Sequence, residues 1–395
     1  MSIRFWRSAT SSLLVLTVLL TLPLLASILP HRQPAWVSVL IATLSRRGLN
    51  ADDDARRTAG YYQDLLNVGS AAGHHLTNAA ADGGAWPRGG NATAAHRRLA
   101  GFLRYDFKPN LDLTFAGDRL ITNSSGMADE EYPLQRPPNT RRIALIGDSI
   151  ARGFGVAPGE RFEALLEHHL NQEYGAATAQ QFEILNFAVG GYRITQMLDV
   201  ALERAAAFAP DVYALAFTDL SVMRRWGDHL AQLVHDGIDL RYDFLRQLAR
   251  EARLQPSDDM VTFNAKLAPH RLRVLRWVIE SLQAHAQRQR ADLLVLLVPQ
   301  VEESHSAAPG FGDAIELLEE LEVPTLNLLD TFAGAADLNE FQLRAGDVHP
   351  NAAGHRRLLD NLQQKALASP RLRAIVLGPG APVQQASRNR APRHP

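Results

Sequence analysis

Arg142 to Gly155 reads R-I-A-L-I-G-D-S-I-A-R-G-F-G. The apolar run Ile143 to Ile146 has the length and content of a buried strand. It halts at Gly147-Asp148-Ser149 and passes into a glycine-rich turn. Beyond the turn, Phe162, Leu165, Leu166 and Leu170 recur at helical spacing within Glu160 to Tyr174. Ser149 therefore falls where a strand hands over to a loop and then to a helix. Such a turn lifts a hydroxyl out of the sheet edge and aims nearby backbone N–H groups at whatever binds there. That suits a nucleophile. Gly-Asp-Ser is also an ordinary turn, so the chemistry depends on whether the chain supplies a base, an orienting acid and an oxyanion site.

Downstream, strand and helix patterns alternate. Phe182 to Phe187 is a second strand and ends in Asn186-Phe187-Ala188-Val189-Gly190-Gly191-Tyr192; Ile194 to Phe208 is helical. Asp211 to Phe217 is a third strand. Met223 to His235, a mostly helical insertion from Gly237 to His270, and a long amphipathic helix from Leu272 to Gln289 follow. Leu293 to Val298 and Thr325 to Leu329 are the fourth and fifth strands, with helix Phe311 to Leu321 between them and Asn351 to Ala366 after them. Strands separated by helices imply an α/β fold with a five-stranded parallel sheet covered on both faces. Ligands of such sheets bind beyond the carboxyl ends of the strands. Ser149, Gly190-Gly191, Thr218-Asp219 and the Asp347 region all fall there.

Asp347-Val-His-Pro-Asn-Ala-Ala-Gly-His355 follows the fifth strand and leads into the last helix. A serine nucleophile needs a base within reach of its hydroxyl and an acid that fixes the imidazole tautomer. His349 and Asp347, two apart in one loop, are the residue types for those roles. They also fit a solvated loop whose Asn351 caps the following helix. His355, inside that helix, reads as structural.

Upstream, Pro133 to Thr140 is proline-rich and marks a boundary. Leu111 to Phe115 and Arg119 to Thr122 alternate like short strands and suggest a small β-excursion before the main domain. Gly69 to Thr93 reads as a loop or linker. Asn91-Ala-Thr and Asn123-Ser-Ser match the glycosylation triplet and are given little weight. Arg4 and Arg7 precede Leu13 to Leu29, which is free of charge and at the short end of a membrane span. An uncleaved anchor is favoured over a signal peptide, because Leu24 and Leu25 stand where a small residue would precede cleavage. Either way, the positive residues stay cytoplasmic and the rest is exported.

The chain has 395 residues, of which 46% are hydrophobic, enough for one sizeable domain with additions. Its net charge of -1 gives no global field to attract nucleic acid. With no cysteine, thiol catalysis, cysteine-bound zinc and disulfides are excluded. Lysine occurs only at 108, 266 and 365 against abundant Arg and Ala, the composition of a high-GC bacterial source.

Taken together, Gly147-Asp148-Ser149, Asn186 to Tyr192 and Asp347-Val-His349-Pro350-Asn351, in that order, resemble the SGNH/GDSL hydrolase superfamily in its bacterial membrane-anchored or exported branch. The similarity covers about Asn123 to Leu367. The resemblance implies a flavodoxin-like three-layer α/β/α sandwich and ester hydrolysis or acyl transfer, with no metal and no organic cofactor. It implies Ser149 as nucleophile, His349 as general base and then acid, and Asp347 as its orienting partner. The Ser149 and Gly191 N–H groups would serve the oxyanion, Gly191 being the glycine five residues after Asn186. Asp148 would hold the loop.

Two departures stand out. The family's third block is usually Gly-x-Asn-Asp, whose asparagine completes the oxyanion hole; here Phe217-Thr218-Asp219-Leu220-Ser221 has none. Losing one such donor typically costs roughly 10²–10³ in rate. Thr218 is the further oxyanion candidate, with Ser221, Arg224 and Arg193 as other donors in the neighbourhood. The second departure is Asp-x-His instead of Asp-x-x-His, a spacing common in exported members.

The domain plan that follows is a cytoplasmic N-terminus (1–11), a transmembrane anchor (12–30), an extension and linker (31–138), the hydrolase domain (139–370) and a disordered tail (371–395). The leading expectation is a serine esterase at the bacterial inner membrane. It would be single-pass, with its catalytic domain periplasmic or extracellular, acting on a small O-acyl ester of a carbohydrate or lipid. An exopolysaccharide O-acyltransferase using the same triad, and a non-catalytic scaffold of the same fold, remain open.

Overall fold

Every residue of Thr140–Ile146 is buried, as a central strand of a parallel sheet must be when helices cover both its faces. The computed structural model describes residues 94–115, 118–301 and 311–379. The proposed anchor at 12–30, the helix-permissive stretch Asp52 to Asn67 and the Gly69 to Thr93 loop lie outside the described residues. Among the described residues, no helix is long and apolar enough to cross a membrane.

Two short antiparallel hairpins come first: β1 (His96–Arg98) with β2 (Tyr105–Phe107), then β3 (Asp112–Phe115) with β4 (Asp118–Ile121). β5 (Thr140–Ile146), α1 (Phe162–Glu173), β6 (Gln181–Asn186), α2 (Ile194–Glu203) and β7 (Val212–Phe217) follow. A π-helical turn, Leu220–Arg224, then leads to α3 (Asp228–His235), α4 (Asp243–Glu251), α5 (Met260–Leu267) and the long α6 (Arg271–Gln289). β8 (Asp292–Leu297), α7 (Phe311–Glu320), β9 (Thr325–Asn327), α8 (Ala352–Ala368) and α9 (Pro370–Leu377) complete the described chain.

The sheet has five parallel strands in the order β6-β5-β7-β8-β9. The chain runs from β5 outward to β6 and then crosses to β7 on the other side. The order therefore reverses at β5, and the crevice for ligands in such a sheet opens at the carboxyl end of the strand where that happens. Ser149 lies just past that end. One face of the sheet packs Ile143 and Leu145 of β5 against Phe162, Leu166 and Leu170 of α1 and Leu358 and Leu362 of α8. Each such fully buried leucine contributes about 2 kcal/mol. The long α6 buries Val274, Leu275, Val278, Ile279 and Leu282 on a single stripe and packs on α2 and β8.

The proline-rich boundary segment is docked through its carbonyls. The fully buried Arg142 donates to Glu183 at 2.6 Å, Pro133 O at 2.8 Å, Leu134 O at 3.1 Å and Phe208 O at 3.0 Å. The expected disordered tail from 371 is corrected in its first part. Ser369 caps and Pro370 opens α9, whose Ile375, Val376 and Leu377 are buried, and Arg141 donates to the carbonyls of Ile375 and Val376. A proline at the first helical position costs nothing there, so Ser-Pro starts a helix where the sequence suggested an end.

Candidate active site

The turn after β5 is closed on itself. Arg152 N–H donates to Asp148 O and Phe154 N–H to Ser149 O, both at 3.0 Å. Gly147 has to be glycine, because a Cβ there would lie 2.5 Å from that of Ala151 and 3.1 Å from that of Ala216 on β7. The turn that carries Ser149 can rest on the neighbouring strand only without that atom. Asp148 holds the turn: Oδ1 accepts from Ile150 N–H at 3.1 Å, and Oδ2 accepts from the Thr218 hydroxyl.

Ser149 and His349 meet from 200 positions apart, with 2.8 Å between Oγ and Nε2. His349 Nδ1 lies 2.6 Å from Asp347 Oδ1, which also accepts the His349 backbone N–H at 3.0 Å. The carboxylate fixes the proton on Nδ1. This leaves Nε2 as acceptor for the serine hydroxyl, an assignment made from the bonding partners. Burial pushes the Asp347 carboxyl up, yet the hydrogen bond and charge of His349 outweigh it and hold the group below its ordinary value. Ser149 and His349 are both buried.

The histidine loop is built to reach that position. Leu343 N–H donates to His349 O, Val301 N–H to Val348 O and Asn351 N–H to Phe341 O. Asn351 caps α8 through Gly354 N–H at 3.0 Å. The Phe154 ring stands 5.1 Å from the His349 ring. His355 is structural, as expected: it is fully buried, accepts from Phe162 N–H at 3.2 Å, and burial lowers its pKa to about 3.

The loop after β6 is stitched to the Ser149 turn by Val189 N–H donating to Gly147 O at 3.3 Å. Asn186 is its hub. Its amide donates to Ala151 O at 3.0 Å and to Glu163 Oε1 at 2.8 Å, its Oδ1 accepts from Ala188 N–H, and its backbone N–H donates to Asp129. Gly191 has φ +86°, a conformation that L side chains resist. Neither the Ser149 N–H nor the Gly191 N–H has a hydrogen-bond acceptor among the described residues. The Gly190 carbonyl accepts from the Tyr105 hydroxyl at 2.9 Å. Tyr105 was not singled out from sequence. Its hairpin has three-residue strands, too short to register as a period.

The loop after β7 differs from expectation. The Thr218 hydroxyl donates to Asp148 and lies 2.9 Å from Ser221 Oγ. Its one proton is thus committed to the carboxylate beside Ser149, which corrects Thr218 as an oxyanion donor. Ser221 Oγ in turn donates to Thr218 O at 3.1 Å. Asp219 pairs with Arg224, which also donates to Gln300 at 2.7 Å. Arg193 is buried and pairs with Asp228 at 3.5 Å.

Behind Asn186, Glu163 is buried and Asp129 and Glu167 are partly buried. Burial raises Asp129 to about 6 and Glu163 and Glu167 to about 7, with Arg161 pulling the first two down. Asn123 of the glycosylation triplet is buried too, donating to Glu130 O and accepting from Ser125 and Met127. Among the described residues, no group of three or more His, Cys, Asp or Glu is placed to hold a metal ion.

A buried hydroxyl bonded to an imidazole whose far nitrogen faces a carboxylate has the geometry for nucleophilic acyl transfer. Residues 145–357, more than half of the chain, match the model of the GDSL-like Lipase/Acylhydrolase family. Solved structures similar to the chain include TesA, at 15% identity over 59% of this chain and 99% of that one, with a TM-score of 0.36. Another is Axe2, an acetylxylan esterase from Geobacillus stearothermophilus, at 14% identity over 57% and 93%, with a TM-score of 0.36. A third is CEX, a two-domain esterase active on acetylated mannans, at 13% identity over 65% and 53%, with a TM-score of 0.36. No curated protein matches the chain.

Proposed function

The chain belongs to the GDSL-like lipase/acylhydrolase family within the SGNH/GDSL superfamily of ester-bond hydrolases, and on that premise we propose a serine esterase working through Ser149, His349 and Asp347. The observation that carries this reading is the bonded series Ser149 Oγ, His349 Nε2 and Nδ1, Asp347 Oδ1, at 2.8 Å and 2.6 Å.

Ser149 Oγ attacks the ester carbonyl while His349 Nε2 takes its proton. The tetrahedral oxyanion accepts from the Ser149 and Gly191 N–H groups, whose donation is worth most where charge develops. Collapse breaks the ester C–O bond, and His349 returns the proton to the leaving alcohol. Water then attacks the acyl-serine with His349 again as base, releasing the acid and restoring Ser149. Asp347 stays ionised and holds the imidazolium in place.

The substrate in this reading is a small O-acyl ester on a carbohydrate or lipid. The charge-free stretch Leu13 to Leu29 behind Arg4 and Arg7 supports an inner-membrane anchor with the domain on the periplasmic side. An active periplasmic reporter fused to the C-terminus is the expected result for that topology, and an active cytoplasmic one would overturn it.

The deciding experiment compares the full-length chain with Ser149→Ala for hydrolysis of p-nitrophenyl acetate and labelling by a fluorophosphonate. Removal of a nucleophile costs on the order of 10⁶ in kcat, so the variant should lose both signals. Equal turnover by the two forms would sink the triad. A wild type that neither turns over nor labels would leave a non-catalytic fold. Acyl transfer to an added sugar in preference to water would make it an acyltransferase of the same triad.

A further inference from the structure

The loop that carries Gly191 is gripped from outside the family-matched stretch. Tyr105 opens β2, and its hydroxyl donates to Gly190 O at 2.9 Å. In return the Tyr192 hydroxyl donates to Tyr105 O at 2.9 Å, and the two rings lie 5.4 Å apart. The β1–β2 hairpin is held in that position by further bonds. Gln196 of α2 donates to Leu103 O at 3.0 Å, and His229 Nε2 of α3 lies 2.6 Å from Phe102 O. His229 is buried, and burial lowers its pKa to about 3, so it meets that carbonyl as a neutral N–H donor.

The Gly190 carbonyl and the Gly191 N–H belong to one peptide plane. In a trans peptide they point in opposite directions. Fixing the oxygen therefore fixes the direction of the N–H. A Gly-Gly peptide needs such fixing, because neither residue has a Cβ to restrict its rotation, and Gly191 is already in the left-handed region. A hydrogen bond onto the carbonyl also polarises the amide, making its N–H a stronger donor.

We infer that Tyr105 is a positioning residue for the oxyanion site, its hydroxyl holding the Gly190–Gly191 peptide with the Gly191 N–H turned away from the hairpin. This rests on the reading of Ser149 as nucleophile and the Gly191 N–H as oxyanion donor. The hairpin is then part of the active site without touching the substrate, and the region before the family domain is required for full activity.

The test is Tyr105→Phe in the full-length chain, which removes one oxygen and keeps the ring. With p-nitrophenyl acetate, kcat should fall about tenfold, the equivalent of one lost polar bond of roughly 1.4 kcal/mol, while KM stays within about twofold. Affinity for phenylboronic acid, which forms a tetrahedral adduct with an active-site serine, should fall by the same factor. An unchanged kcat overturns the inference. So does a loss confined to KM or to the melting temperature, because an ordinary packing role would act there. Ser149→Ala, run in parallel, separates the two readings. If it retains turnover the nucleophile is misassigned. If it is dead while Tyr105→Phe matches wild type, only the role of Tyr105 falls.

Discussion

The loops after β6 and β7 flank Ser149 from opposite sides of β5 and both bond to its turn, but they differ in what they leave available. At the β6 loop, the Asn186 backbone N–H donates to Asp129 and its amide to Glu163 and to Ala151 O. The loop leaves a backbone N–H, that of Gly191, without an acceptor among the described residues. At the β7 loop, Thr218 is bound to Asp148 and Asp219 to Arg224. The β6 loop has a backbone donor available for a ligand, whereas the β7 loop commits its Thr218 hydroxyl to the Ser149 turn. On the proposed reading, the loop that lacks the third-block asparagine serves as a brace and not as an oxyanion donor.

The sharpest way to break that contrast is to damage each side and compare. Gly191→Ala adds a Cβ at φ +86°, where an L residue is strained by about 1–2 kcal/mol. Relief of that strain rotates the peptide and misdirects its N–H. The expected loss in kcat is roughly 10²–10³, the usual cost of an oxyanion donor. Thr218→Val keeps the shape and removes the hydroxyl, so the buried Asp148 carboxylate loses a partner. That costs about 1–3 kcal/mol of stability and lowers the melting temperature, with kcat reduced only about tenfold. Steady-state kinetics and thermal melts of both variants check the pair. A larger kcat loss in Thr218→Val than in Gly191→Ala would reverse the assignment and make the β7 loop the oxyanion side.

The same contrast explains what could be read from the sequence. The five strands and the helices between them were legible because parallel strands buried on both faces are continuous apolar runs, as in Val212–Phe217. Residue types and chain order singled out Ser149, His349 and Asp347, and the fold brings these three side chains into one bonded series. Tyr105 was not, since it acts through a carbonyl 85 positions away, and any residue pair can share a backbone bond. Thr218 was misread for a related reason. A threonine at a strand end can donate in several directions, and only the fold brings Asp148 beside it. The start of the tail was misread because α9 is short and is held by Arg141, a partner that only the fold brings to it.

The histidine loop and the β6 side of the site respond to pH with opposite signs, which gives the smallest but most diagnostic effect. Asp347 is held below its ordinary value despite burial, by His349. Its contribution to stability is present above the unfolded pKa and is lost as the pH falls through the folded one. Behind the β6 loop, Asp129 at about 6 and Glu163 and Glu167 at about 7 are raised, with burial the main cause. Their folded pKa values exceed the unfolded ones, so the folded state holds more protons. That stability is complete below about pH 4, the unfolded carboxyl range, and is lost as the pH rises through 6 to 7. The melting temperature should therefore be higher at pH 5.5 than at pH 8.5, by a few degrees for a domain of this size. Glu163→Gln keeps an oxygen for the Asn186 amide, which donates to Oε1 at 2.8 Å, but carries no charge at any pH. It should raise the melting point at pH 8.5 and flatten the profile, while kcat at pH 5.5 stays close to wild type. A variant as steep as wild type between those pH values would place the titration elsewhere and leave the β6 loop without a link to pH.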